Sequence, residues 1–113
     1  MGMLGRFFTP KREKRKSPRA PYEVAIDYSA HNRIFTDHLV DIGRGGVFIQ
    51  TEEKFATGQK IVLTIPLDPI ASELRFEGEV VRKSTTGIGV RFEGLSSDRE
   101  HLIERFVDRL RAD

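Results

Sequence analysis

Tyr22-Glu23-Val24-Ala25-Ile26-Asp27-Tyr28-Ser29 alternates large apolar residues with polar or small ones, and Ala30-His31-Asn32-Arg33 then interrupts the run. A period of two places Tyr22, Val24, Ile26 and Tyr28 on one face, which is the pattern of a half-buried β-strand. The interruption fits a hairpin turn, so a second strand should return over about Ile34–Ile42. A third should run from Gly46 to Thr51 after the corner Gly43-Arg44-Gly45. Gly58 precedes another alternation at Ile61, Leu63, Ile65 and Leu67, which ends around Pro66 and Pro69. Leu74, Phe76, Gly78 and Val80 repeat the theme, and a turn at Ser84-Thr85-Thr86-Gly87 leads into Ile88, Val90 and Phe92.

These are six short strands with no long helical segment between them before residue 94. Parallel strands need crossovers of about a dozen residues or more, so the pairing is expected to be antiparallel. Closing the sheet on itself leaves few edges exposed, which favours a barrel. The period then changes. Leu102, Ile103, Phe106, Val107 and Leu110 share one helical face, and Ser97 with Glu100 reads as a capping box. The expectation is an all-β fold: a six-stranded antiparallel β-barrel over residues 22–113 that ends in a C-terminal α-helix. The helix must bury its stripe against the barrel or against a partner.

Upstream of the barrel the composition is different. Residues 1–21 hold seven Lys/Arg and one acid, Glu13, while the rest of the chain holds twelve Lys/Arg and sixteen acids. With Pro10, Pro18 and Pro21 and no hydrophobic period, this segment reads as an extended, mobile basic arm. A basic arm on a mildly acidic body is suited to an anion.

Composition excludes several functions. There are no cysteines, and the three histidines, His31, His38 and His101, lack metal-ligand spacing, so no metal or catalytic thiol is expected. The apolar runs are far shorter than the ~20 residues of a membrane span, and the first eight residues do not form a secretory signal. A cytoplasmic protein without membrane insertion is the expectation, and nothing in the spacing forms a nucleophile–base pair. The chain is therefore read as a non-enzyme with no cofactor.

Two motifs carry the chemistry. Arg15-Lys16-Ser17-Pro18-Arg19 places two arginines at the mouth of the first strand, and Asp41-Ile42-Gly43-Arg44-Gly45-Gly46 places one acid in a glycine-rich corner. An arginine fork matches O6 and N7 of guanine, and an ionised Asp can accept from N1–H and the N2 amine. Further arginine and exposed backbone N–H groups suit phosphates. Pro18 restricts the chain between the two arginines.

Arg15-x-x-x-Arg19 followed by Asp41-x-Gly43-x-x-Gly46 resembles the paired motifs of PilZ domains, the bacterial receptors for cyclic di-GMP. The Gly46–Thr51 run, Gly58, Gly78-Glu79-Val80-Val81 and Gly87–Phe92 agree, so the resemblance covers about residues 11–112. It implies a ligand, cyclic di-GMP or another guanine-containing cyclic dinucleotide. Arg15 and Arg19 would grip guanine edges and phosphates, Asp41 would read a Watson–Crick edge, and Gly46 would let the backbone close on the ligand. Lys14 stands where residue identity is linked to binding one or two ligand molecules, and Arg12 and Arg44 are candidate phosphate contacts. Gly43 departs from the family serine; losing that hydroxyl bond costs about 0.5–1.5 kcal/mol, roughly three- to tenfold in affinity.

The resemblance also implies a downstream protein partner and an output through ligand-driven ordering of the arm, with the chain a monomer or homodimer. The competing readings are a PilZ-like adaptor that works without nucleotide, a small nucleic-acid-binding barrel and an enzyme. The acidic body disfavours nucleic acid. Most sheet aromatics fit the core face, and only Phe35 and Phe48 are left unassigned for stacking on bases.

Overall fold

The computed structural model describes residues 18–112. Six strands run β1 Arg19–Ala30, β2 Arg33–Gly43, β3 Gly46–Gln50, β4 Lys60–Leu67, β5 Ala71–Lys83 and β6 Gly87–Glu93, followed by α1 Ser97–Ala112. The strands close in the order β1-β2-β3-β6-β5-β4, and every neighbouring pair is antiparallel. Asp27–Ser29 pairing with Val62–Thr64 joins β1 to β4 and completes the barrel.

The alternation works as the sequence indicates. Ile26, Tyr28, Leu39, Ile49, Leu63, Ile65, Phe76, Val80 and Val90 all point into one buried core. The first hairpin turns through His31 and Asn32, both at positive φ (53° and 60°), the conformation of a two-residue turn matched to strand twist. Inside the barrel the Tyr28 hydroxyl donates to Asp37 Oδ2 at 2.7 Å, and burial pushes its phenol pKa well above the ordinary value.

Two boundaries differ from the sequence reading. β1 begins at Arg19 instead of Tyr22, because Ala20 already faces the core and pairs with Ile42. Pro21 hides this start, since proline is usually a strand breaker, yet here it stands on the outward face of the barrel opposite Asp41. The helix cap is Ser96, not Ser97. Ser96 Oγ accepts from the Arg99 N–H at 3.2 Å, and with Arg99 three residues on there is no reciprocal carboxylate. Ser96→Ala is expected to cost about 1 kcal/mol in urea unfolding, with Ser97→Ala much closer to neutral.

The helix settles its own alternative. Ile103, Phe106 and Val107 are buried, and α1 packs on β1 and β2, with Phe106 meeting Tyr22 edge-on at 4.8 Å between ring centroids. The barrel is thus the surface that covers the apolar stripe.

Candidate functional site

The corner between β2 and β3 is where Arg19, Asp41, Gly43 and Gly46 meet. Leu39 pairs with Ile49, but Asp41 pairs with Phe48, so Val40 is an extra residue in β2. This bulge resets the alternation: Leu39 and Ile42 both point inward, and Asp41 between them turns outward. Without it, Asp41 would share the inward parity of Leu39, where a carboxylate is costly.

Arg19 lies on the adjacent strand, paired with Gly43. Its Nε donates to Asp41 Oδ1 at 2.9 Å, and its Nη2 donates to the same oxygen and, weakly, to the Gly46 carbonyl at 3.4 Å. No described residue donates to the other carboxylate oxygen, Oδ2. The pair is half-exposed, with 46% and 36% of the two side chains open to solvent. A partly solvated ion pair contributes about 0–1 kcal/mol, so either partner can be drawn away by a better one at small cost.

The helix secures both sides of this corner. Arg111 Nη1 donates to the Arg19 carbonyl at 3.2 Å, fixing the backbone from which the guanidinium extends. Glu104 Oε2 accepts from Arg44 Nη1 at 2.7 Å, so Arg44 is turned toward α1. Nothing in the sequence links residues this distant, and neither contact was foreseen there.

The glycines divide into different roles. A Cβ on Gly46 would stand 2.0 Å from the Val90 carbonyl oxygen, so its bareness is required by the close approach of β3 and β6. A Cβ on Gly43 would lie 3.0 Å from Arg19 Nη1 and 3.1 Å from Arg19 Cγ. Gly43 thus gives the Arg19 side chain room to fold back onto Asp41. A Cβ on Gly45 would meet nothing. Among the described residues the positive-φ glycines are Gly58 and Gly94, neither of them in this corner, so Gly43 and Gly46 are explained by space and not by backbone handedness, and Gly45 by neither. Arg12, Lys14 and Arg15 lie outside the described residues.

A family model described as the PilZ domain matches residues 13–109. The chain belongs to the PilZ domain family. A comparison with curated proteins found no match. Among solved structures this PilZ domain is similar to the PilZ domain of CeSA from a cellulose-synthesizing bacterium, at 18% identity and TM-score 0.67, covering 84% of this chain and 99% of that one. It is similar to the Bacillus subtilis inhibitor of motility MotI/DgrA, at 17% identity and TM-score 0.73, over 91% of this chain and 56% of that one. It is also similar to MrkH of K. pneumonia, solved as a complex with c-di-GMP, at 18% identity and TM-score 0.69, over 88% and 53%. The PilZ domain described here thus spans about half the length of the last two, and at these identities the likeness establishes the fold.

Other surface features of this PilZ domain are less suited to an anion. A hollow of about 560 Å³ further along β2 is lined by Asp37, His38, Glu52 and Glu53 among others, an acid-rich wall that repels phosphate. Among the described residues no group of three His, Asp or Glu could hold a metal ion, and no helix is long and apolar enough to cross a membrane.

Proposed function

We propose that this PilZ domain is a receptor for cyclic di-GMP that acts through protein contacts and carries out no reaction of its own. The observation that carries the reading is the Arg19–Asp41 pair on the outer wall of the barrel. One guanidinium fork and one carboxylate lie in contact, half open to water, beside a strand corner with no bulky side chain at Gly43, Gly45 or Gly46.

The chemistry follows from the free valences. Asp41 Oδ2, to which no described residue donates, can accept from a guanine N1–H or N2 amine, and Arg19 can exchange Oδ1 for guanine O6 and N7 or for a phosphate oxygen. Arg15, four residues before Arg19, supplies the second fork. Binding draws the segment carrying Arg15 onto the anion, and the altered surface is what a protein partner reads. MrkH has been solved with c-di-GMP, which supports this ligand class for a barrel of the same fold.

The test is calorimetric titration with cyclic di-GMP, cyclic GMP–AMP and cyclic di-AMP. Cyclic di-GMP is expected to bind most tightly, the mixed dinucleotide more weakly and cyclic di-AMP negligibly, because adenine puts a donor where Arg19 needs O6. Hydrogen exchange over residues 10–17 should slow on adding cyclic di-GMP. Absence of heat with all three ligands would leave the nucleotide-independent adaptor in its place.

A further inference from the structure

We propose that Phe48 and Arg82, lying over the bare backbone of Gly89, form a stacking shelf for the base whose edge Asp41 reads; this rests on the receptor reading above. The shelf is a consequence of register. Asp41 pairs with Phe48, Phe48 with Gly89, and Gly89 with Arg82, so one row of outward positions runs across β2, β3, β6 and β5. Neighbouring strands are about 4.8 Å apart, and the row therefore spans roughly the length of a purine nucleotide from Asp41 to Arg82.

Each member of the row is placed by a specific feature. Phe48 stands between two fully buried residues, Val47 and Ile49, and so faces outward, where it is half-buried against β6. Its ring edge reaches the place where a Gly87 side chain would be, with Cε2 2.9 Å from a Cβ built there. Gly89, also outward, lacks a side chain, and the Arg82 guanidinium carbon lies 3.4 Å from where its Cβ would stand. That carbon is 5.7 Å from the Phe48 ring centroid, within cation–π range.

A second bulge supplies the arginine. Val80 pairs with Val90 and Arg82 with Gly89, leaving Val81 extra in β5 and both Val81 and Arg82 on the outside. The Val81 side chain is exposed, at 44%. Bulges that re-aim side chains gather around binding sites. Arg82 has no carboxylate partner among the described residues, unlike Arg19, Arg44 and Arg91.

The parts suit a planar, electron-rich ring next to an anion. A purine whose Watson–Crick edge meets Asp41 Oδ2 has its face free, and the adjacent strand offers an aromatic ring with a guanidinium beyond it. Both surfaces stack on any base without reading its edge, so the shelf would add affinity while Asp41 and Arg19 supply discrimination. The simpler use of the same side chains is to cover the bare backbone of Gly87 and Gly89, and the variants are chosen to separate the two.

The experiment is titration of cyclic di-GMP into wild type, Phe48→Leu, Arg82→Ala and Arg19→Ala, with the melting temperature of each ligand-free protein. Leucine still covers the backbone but has no flat face. Phe48→Leu is expected to raise Kd about tenfold and Arg82→Ala about three- to tenfold, with ligand-free melting temperatures close to wild type. A Kd within twofold of wild type for both, while Arg19→Ala weakens binding, overturns the shelf and leaves the receptor reading standing. A wild type that binds no cyclic dinucleotide removes both.

Discussion

Gly46→Ala is expected to lower the melting temperature by about 15 °C or more, or to prevent folding, while Gly45→Ala one residue earlier leaves it nearly unchanged. The methyl group at 46 would be built 2.0 Å from the Val90 carbonyl oxygen and about van der Waals overlap with two further backbone atoms, at 3.0 and 3.1 Å. No rotamer can relieve a clash between Cβ and backbone. The β3–β6 pair would have to separate, losing ladder hydrogen bonds along Gly46–Gln50 and loosening Val47, Ile49 and Val90 in the core. A cost of about 3 kcal/mol or more follows, at about 4–8 °C per kcal/mol for a domain of this size. At Gly45 a Cβ meets no atom within 4 Å. Thermal unfolding of the two variants beside wild type checks this, and equal melting of all three would mean that β3 and β6 are not so close. Any loss of ligand binding by Gly46→Ala would then be a loss of fold, not evidence of ligand contact at that residue.

The same corner shows how far the sequence could be read. Alternation from Tyr22 to Tyr28 and from Ile61 to Leu67 determines which residues enter the core, because a strand has only two faces and water is on one of them. It also indicates antiparallel closure, since the connections are too short for crossovers. Bulges are a different matter. Val40 and Val81 are ordinary strand residues in composition, and their extra position exists only relative to a neighbouring strand. The motif therefore marks Asp41 in the sequence, while its outward direction depends on the bulge. The face of Phe48 is legible in the sequence, because a period of two between Val47 and Ile49 turns it outward. The contacts of Arg111 with Arg19 and of Glu104 with Arg44 join a terminal helix to the barrel corner, and only tertiary packing brings them together. The cap moved from Ser97 to Ser96 because adjacent serines offer the same side chain, and the choice depends on which hydroxyl faces the first turn.

Arg19→Ala should raise the Kd for cyclic di-GMP at least tenfold while shifting the melting temperature of the ligand-free protein by only a few degrees. The two halves of this expectation rest on different physics. In the free protein the guanidinium is paired with Asp41 while 46% of it remains in water, so deleting it loses an interaction worth about 0–1 kcal/mol. In the complex the same group would meet a guanine edge or a phosphate through charge-assisted bonds of about 1.5–3 kcal/mol, with much of its water displaced by the ligand. Removal also leaves Asp41 facing a dianionic ligand with its nearest compensating charge gone. Arg19→Lys separates charge from shape: it keeps the cation but cannot span O6 and N7, so its Kd should fall between wild type and alanine. A large drop in ligand-free melting with unchanged affinity would instead make the Arg19 side chain a strut between β1 and the β2–β3 corner, through its bonds to Asp41 and to the Gly46 carbonyl.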